Sequence, residues 1–281
     1  MRTGFLPDRQ TAVRFQGFTI VELLVVISVI AILAGLLLPV IGRSKQKGYG
    51  AACINNIRQL QLAWTMYIDE HDQQLPPNSD QPLSGRDLAN PSWVAGWLRS
   101  DEDPGSKYDS TNVDLLIGEA FRPFGSIGGY SSNPRIYRCP SDRSSVTIDG
   151  MRHDRVRTYS MNCYMNGNGI WQLSNYVTFR KVAEISDSSK MWVLIDEWQR
   201  SINDGYFAVD LSHQYNILDI PADYHNGASV LSFADGHAES HLWLEATTRP
   251  GFARPFPGAP MFTSANDRDM AWLSEHTTVL K

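Results

Sequence analysis

One long apolar run lies near the start of the chain. Residues 18–41 read FTIVELLVVISVIAILAGLLLPVI, in which Glu22 is the only charged residue. As a helix rising about 1.5 Å per residue, this run would extend roughly 36 Å, enough to cross a hydrocarbon core of about 30 Å. The pattern therefore predicts a membrane-spanning helix over 18–41.

Beyond this run, apolar residues recur at spacings of three and four, which places them on one side of a helix. The stripe consists of Cys53, Ile57, Leu60, Trp64 and Tyr67, and the residues largely off it are Asn55, Arg58, Gln59 and Gln61. We expect an amphipathic continuation over 42–75 whose stripe packs under a globular domain. Pro76 and Pro77 predict that it ends near Leu75.

The junction between the two halves of this helix contains residues that weaken helices. Pro39 removes a backbone hydrogen bond, and each of Gly42, Gly48 and Gly50 costs about 1 kcal/mol relative to alanine. The sequence predicts a kink at Pro39 and a bend or melted stretch after it.

The remaining residues, 76–281, are enough for one domain with its own core. Residues 78–136 are rich in turn formers, and short strand-like runs follow. These runs are 136–139, 157–161, 190–196, 206–209, 229–233 and 239–244. The predicted class is α+β, with a long N-terminal helix packed against an antiparallel sheet.

Charge indicates how the chain is oriented in a membrane. The first 17 residues carry Arg2, Arg9 and Arg14 against one acid, Asp8, which favours a cytoplasmic leader and a periplasmic domain. The formal net charge of −5 and the lack of a basic stripe or recognition motif make nucleic acid an unexpected partner. An ordinary secretory signal cleaved near Gly35 is the alternative, but its apolar region is usually only about 7–15 residues long.

Glu22 needs an explanation wherever the run is inserted. An ionised acid in such a segment costs about 2.5–3.5 kcal/mol even on permissive scales, so a cationic partner is expected.

The segment Gly17-Phe18-Thr19-Ile20-Val21-Glu22-Leu23-Leu24 resembles the processing site of type IV prepilins and type II secretion pseudopilins. Pro39 stands where those proteins carry a helix-kinking proline. The resemblance implies a pilin-like fold, cleavage by prepilin peptidase after Gly17 and N-methylation of Phe18. It also implies that Glu22 pairs with the N-terminal ammonium of a neighbouring subunit.

The resulting organisation has four parts. We expect a leader over 1–17, a transmembrane and assembly helix over 18–41, its amphipathic continuation over 42–75, and a periplasmic globular domain over 76–281. The protein would be a non-enzymatic, single-pass inner-membrane subunit of a type II secretion or type IV pilus-like assembly, in a filament or held in the membrane. Its partners would be prepilin peptidase and other pilin-like subunits.

A second motif places His225 nine residues before Asp235-Gly236. Asp-Gly between strand patterns predicts a hairpin with a type I′ turn, which needs positive φ at both central positions. The spacing resembles the H-X9-DG signature of a large group of prepilin-like proteins. We expect His225 and Asp235 to orient the hairpin through hydrogen bonds, with Asp235 bonding its own turn.

A metal site is the other interpretation of these residues. His237 and His241 would share a strand face with Glu239, an acceptable but unspecific ligand set. The sequence leaves metal binding open and predicts no cofactor; calcium is the ion that related pseudopilins suggest.

Three cysteines allow one disulfide, and three pairings are open. Cys53 on the helix stripe and Cys139 at a predicted strand end could fasten the sheet to the helix, which would leave Cys163 buried and reduced.

The rival class is a membrane-anchored periplasmic carbohydrate-binding module or hydrolase. Its stacking surfaces would come from the tryptophans at 93, 97, 171, 192, 198 and 243, and its acids from Asp196, Glu197 and Asp204. Tryptophans clustered in a cleft with these carboxylates would favour it.

Overall fold

The computed structural model describes residues 19–99, 106–212, 216–249, 261–262 and 266–281. The chain divides into two compact units, residues 1–45 and 46–281. The α-helices are α1 (Ile20–Glu70), α2 (Asp114–Ile117), α3 (Gly128–Ser131) and α4 (Arg268–Thr277). Shorter 3-10 helices lie at Asp109–Thr111, Glu119–Phe124, Pro134–Tyr137 and Val182–Glu184.

The strands are short and form one principal sheet with three two-stranded additions. They are β1 (Asn78–Ser79), β2 (Ser145–Ile148), β3 (Met151–Asp154), β4 (Tyr159–Asn162), β5 (Gly167–Asn168), β6 (Trp192–Asp196), β7 (Tyr206–Phe207), β8 (Asn216–Ile217), β9 (Ala228–Phe233), β10 (Ala238–Leu242) and β11 (Met261–Phe262). The five-stranded sheet has the order β10-β9-β6-β4-β7. The α+β class predicted from the sequence is confirmed.

Two details of the predicted sheet are wrong. β4 and β7 pair in parallel, whereas the other neighbours in this sheet are antiparallel. The first predicted strand, 136–139, is not a strand, and its first two residues end a 3-10 helix over Pro134–Tyr137. Asn133 caps that helix by accepting a hydrogen bond from the Arg135 amide, and Pro134 supplies a first-turn φ suited to a helix.

The amphipathic half of α1 buries the predicted stripe. Cys53, Ile57, Leu60, Trp64 and Tyr67 all belong to one core cluster. That cluster also contains side chains from three strands of the sheet, namely Tyr159 and Met161 of β4, Val193 and Leu194 of β6, and Val230 of β9. This contact holds the C-terminal half of α1 against one face of the sheet.

Gln61 departs from the prediction. Its side chain is buried, and its Oε1 accepts a hydrogen bond of 2.7 Å from the Ser232 hydroxyl on β9, while its Nε2 has no partner among the described residues. A polar group can be buried at low cost when it gains such a partner.

The opposite face of the sheet carries a second core. Trp192, Ile195, Leu231 and Phe233 pack there with Trp243 and with side chains of α4. Because both faces are covered, β4, β6 and β9 are buried along their whole length. This explains why β6 is a nearly continuous apolar run rather than an alternating one, whereas buried polar residues of β4 and β9, such as Asn162 and Ser232, have hydrogen-bond partners.

α1 ends earlier than the prolines predicted. It stops at Glu70, after which Asp72 and Gln73 adopt positive φ values of 52° and 61°. The Gln73 amide donates to the Ile68 carbonyl at 3.1 Å, the bond that defines a Schellman C-cap. The cap therefore ends the helix at Glu70, five residues before the predicted end at Leu75.

The predicted melted stretch is also wrong. Helix extends through residues 42–50, including Gly48 and Gly50. A glycine costs only about 1 kcal/mol, and interrupting a helix forfeits several hydrogen bonds, so the continuous helix is favoured. α1 also includes Pro39, and the kink there stays a prediction.

The β9–β10 hairpin does not use the expected type I′ turn. Gly236 has a φ of 94°, but Asp235 is not among the positive-φ residues. The Gly236 amide donates to the Phe233 carbonyl at 2.9 Å, and the Phe233 amide donates to the His237 carbonyl at 2.9 Å. This is the pattern of a three-residue loop with a left-handed glycine, so one positive φ is sufficient.

We predict that Gly236→Val destabilises the domain by about 1–2 kcal/mol, because an L side chain resists a left-handed conformation. A Cβ at this position would meet nothing within 4 Å, so steric overlap contributes little. Urea unfolding of the full chain in detergent measures the change. Gly236→Asn is the matched control and should cost less, since asparagine tolerates this conformation. Equal losses for the two variants would contradict the backbone explanation.

Candidate functional site

The N-terminal unit presents an apolar helix segment without a protein partner in the single chain. Residues Ile20–Leu38 are long and apolar enough to cross a membrane, and none of this window is buried inside the protein. Length and composition alone would also fit a signal sequence, so the functional meaning depends on the residues at its start.

Glu22 takes part in hydrogen bonds at the beginning of this helix. Its Oε2 accepts hydrogen bonds from the Thr19 amide at 2.8 Å and the Thr19 hydroxyl at 2.7 Å. In return, the Glu22 amide donates to the Thr19 hydroxyl at 3.2 Å. This reciprocal pair is a capping box, with Thr19 as N-cap and Glu22 at the third helical position. The positive end of the helix dipole also stabilises a carboxylate at this position.

The capping box gives Glu22 hydrogen bonds from Thr19, which carries no charge. The carboxylate is exposed in the single chain, so a neighbouring cation could reach it. The predicted cleavage and methylation residues, Gly17 and Phe18, lie outside the described residues.

The two ends of the H-X9-DG spacing have different environments. Asp235 accepts from the His237 amide at 3.1 Å and contacts His237 Nδ1 at 2.6 Å, within the exposed hairpin turn. His225 instead faces the interior, where its Nε2 lies 3.2 Å from Cys139 Sγ and 3.6 Å from Asp196 Oδ2.

Four side chains meet around His225 and form what we call the buried cluster: Cys53, Cys139, Asp196 and His225. Their ligand-type atoms all lie within 4.8 Å of one another. Cys53 Sγ lies 3.2 Å from Asp196 Oδ2, and the side chains of both cysteines and Asp196 are inaccessible to solvent. Among the described residues, this is the one group with metal-ligand composition and spacing.

Burial and mutual contact shift the ionisation of the buried cluster. Burial raises the pKa of Cys53 well above its usual range, and burial also raises the pKa of Asp196. Burial opposes charge on Cys139 too, but hydrogen bonds from Cys53 and His225 outweigh it and lower the pKa of Cys139. For His225, contacts with Asp196 and Cys139 outweigh burial and raise the pKa to about 10.

The cysteines are all free and buried. The structure brings Cys53 and Cys139 together, as the proposed pairing requires, but leaves them as thiols. Cys163 lies elsewhere, in the core on the other face of the sheet.

The predicted set of His237, Glu239 and His241 does not form a ligand group. His237 lies in the turn rather than on the strand and stacks on Phe233 with ring centroids 4.2 Å apart. His241 stacks on Trp272 at 3.8 Å, and burial lowers its pKa.

The rival carbohydrate site lacks its stacking surface. Trp93, Trp192 and Trp243 are fully buried, Trp97 is 8% exposed, and Trp198 packs against the second core. Trp171, at 36%, is the most exposed of the six predicted tryptophans that the structure describes.

The proposed acids are equally internal. Glu197 accepts from the Ser201 hydroxyl at 2.6 Å, Asp204 accepts from the Tyr206 amide at 2.8 Å, and burial raises the pKa of both carboxyls. A surface groove of about 670 Å³ beside α1 is lined by other residues, among them Asn56, Arg138 and Asp154. The described residues therefore do not combine the tryptophans and acids in a cleft.

Sequence reasoning singled out every member of the buried cluster but did not join them. Cys53 and Cys139 are one of three open disulfide pairings in the sequence, His225 is assigned to the hairpin, and Asp196 to the rival site. No spacing motif could have linked them, since the four residues come from separate segments.

Comparison with known proteins identifies the N-terminal segment alone. Residues 13–38 match the family described as the prokaryotic N-terminal methylation motif. No curated protein and no solved structure matches the chain. The match supports a type IV pilin-like or pseudopilin-like protein and is consistent with membrane anchoring through the apolar helix. It covers a small part of the chain and does not reach the H-X9-DG spacing.

Replacement of Trp93 should affect stability rather than ligand binding. Its ring is buried and its Nε1 donates to the Gly205 carbonyl at 2.8 Å, so Trp93→Ala should lower the free energy of unfolding by about 3–5 kcal/mol. Trp171→Ala is the control and should change it by no more than about 0.5 kcal/mol. Urea unfolding in detergent measures both. Unchanged stability with selective loss of polysaccharide binding in Trp93→Ala would revive the carbohydrate-binding class.

Proposed function

We propose that the protein is a pseudopilin-like structural subunit of a type II secretion or type IV pilus-like assembly. Prepilin peptidase removes residues 1–17, Phe18 becomes the methylated N-terminus, and the anchor helix associates with those of other pilin-like subunits. The protein is held in the inner membrane with its domain in the periplasm, from where it is available for incorporation into a filament. One observation carries the proposal: the methylation motif match coincides with a single acid at the start of an exposed apolar helix.

The helix start suggests how the subunit exists before and after assembly. In the single chain, Glu22 is satisfied by the Thr19 amide and hydroxyl at 2.8 and 2.7 Å. This local cap lowers the cost of holding the acid near the membrane. Cleavage after Gly17 would create an ammonium group at Phe18, and that group on a neighbouring subunit would supply a countercharge for Glu22.

The charged contact is well suited to setting the stagger between subunits. An apolar helix can slide along another with little change in dispersion energy, because the flanking lipid is equally apolar. A carboxylate in this environment has a strong preference for a register that places a cation beside it. The rest of the exposed apolar surface would then supply the contact area.

The mature N-terminus provides the first test. Mass spectrometry of membrane-purified protein should identify Phe18 as the first residue, carrying one N-methyl group. A Gly17→Leu variant should retain its leader, since the peptidase requires the glycine in proteins with this motif. An N-terminus near Gly35 would instead indicate an ordinary secretory signal.

Removal of the charge on Glu22 provides the second test. Glu22→Gln keeps an oxygen that can accept from Thr19 but cannot form an ion pair, so assembly should fall strongly while processing and membrane retention continue. Crosslinking in cells, read as the ladder of multimers, measures the loss. The matched control is Ser28→Ala in the same segment, where the hydroxyl only bonds the Leu24 carbonyl at 2.7 Å.

Wild-type ladders in Glu22→Gln would show that the carboxylate charge has no role in assembly. An equal loss in Ser28→Ala would indicate general sensitivity of the helix surface rather than a specific ion pair.

A further inference from the structure

The buried cluster is assembled from four distant parts of the chain. Cys53 lies on α1, Cys139 follows a 3-10 helix, Asp196 ends β6, and His225 precedes β9. Local sequence cannot have forced these side chains together, since Cys139 and His225 are 86 residues apart and Cys53 and Asp196 are 143 apart. The whole fold of residues 46–281 places them at one point.

The distances within the cluster suit a tetrahedral metal ion. Zinc bound at about 2.3 Å from sulfur and 2.0–2.2 Å from nitrogen or oxygen keeps its ligand atoms about 3.4–3.8 Å apart. Three of the six separations here are 3.2 Å for Cys53 Sγ to Asp196 Oδ2, 3.2 Å for Cys139 Sγ to His225 Nε2, and 3.6 Å for His225 Nε2 to Asp196 Oδ2, and all six are within 4.8 Å. Small side-chain movements would complete the geometry.

The electrostatics also favour a cation. Asp196 is completely buried, and its ion-pair partner among the described residues is His225 alone. A buried carboxylate beside two thiols is costly unless a positive charge compensates it. In the metal-free cluster that charge is the proton on His225, whose Nε2 lies 3.6 Å from Asp196 Oδ2. A divalent ion would displace this proton, take over the compensation and hold both sulfurs as thiolates.

Neighbouring groups are placed to orient the ligands. The Tyr159 hydroxyl lies 2.9 Å from Cys53 Sγ. The Thr158 hydroxyl donates to Asp196 Oδ1 at 3.4 Å, which leaves Oδ2 facing the cluster, and it accepts from the Cys139 amide at 2.8 Å. Such supporting hydrogen bonds accompany most protein metal sites and tune their affinity.

We propose that Cys53, Cys139, Asp196 and His225 bind one zinc ion, which fastens α1 to the sheet. Two sulfurs and an imidazole select zinc over calcium, which prefers six to eight oxygen ligands. The closed four-ligand set and its burial indicate a structural rather than catalytic ion. The H-X9-DG spacing thus contributes a ligand through His225 and a hairpin turn through Asp235-Gly236.

Elemental analysis of the full chain, purified in detergent without chelator, tests the proposal. We expect one zinc per chain in the wild type and in Cys163→Ser, whose thiol is buried outside the cluster. Cys139→Ser and His225→Ala should lose it. Circular dichroism of each variant establishes whether it is folded.

Three further measurements do not depend on the ligand variants folding. Cobalt substitution of the wild type should give the intense absorption of tetrahedral cobalt with thiolate ligands. Thr158→Val, which keeps all four ligands, should weaken zinc affinity about 10–100-fold in a chelator competition, as loss of a supporting hydrogen bond does. Added zinc should also raise the melting temperature of the metal-stripped wild type.

The proposal is overturned if the wild type contains no zinc and gives no cobalt spectrum. It is equally overturned if mass spectrometry under non-reducing conditions finds Cys53 and Cys139 joined in a disulfide, which leaves no thiolates to bind metal. Loss of zinc from Cys163→Ser to the same extent as from Cys139→Ser would show that the assigned ligands are wrong.

Discussion

The domain depends on the burial of one helical stripe against one sheet face. Cys53, Ile57, Leu60 and Trp64 are almost completely removed from solvent, and each large side chain buried in this way contributes about 1.5–3 kcal/mol. The stripe requires an unbroken helix, and the helix in turn provides one wall of the core. Strands β4, β6 and β9 are buried along their whole length because α1 covers one face and the second core covers the other.

Polar groups within this core determine which arrangement of helix and sheet is adopted. The Ser232 hydroxyl donates to Gln61 Oε1 at 2.7 Å. The Asn162 side chain donates to the carbonyls of Trp192 and Thr277, both at 2.9 Å. Apolar contacts alone would tolerate small shifts, whereas each of these groups would lose its partner if the elements moved. The buried cluster imposes the same kind of constraint at the end of β6, with the added requirement of charge compensation.

The N-terminal unit differs from the domain in how its apolar side chains are placed. Its apolar side chains face outward, which is unfavourable in water and favourable in lipid or among similar helices. Glu22 is the exception, and its capping box with Thr19 gives the carboxylate hydrogen bonds while leaving its charge available. In the function proposed above, the apolar surface holds the subunit in the membrane and the charge of Glu22 directs it to its neighbours.

The sequence by itself determined the features that depend on local periodicity and composition. These are the exposed anchor with its single acid, the stripe on α1, the α+β class and five of the six predicted strand positions. The boundaries were less accurate, because a Schellman cap ended α1 before the prolines and a capped 3-10 helix replaced the strand at 136–139.

Only the tertiary structure decided which distant residues meet. No sequence motif links Asp196 to His225, since a ligand set drawn from a helix, two loops and a strand end has no fixed spacing along the chain. The same holds for Gln61, whose burial depends on Ser232 being opposite it, and for the tryptophans, which composition could not assign to core or surface. Long-range packing settles such questions because a polar or aromatic side chain is stable wherever the fold supplies its partner.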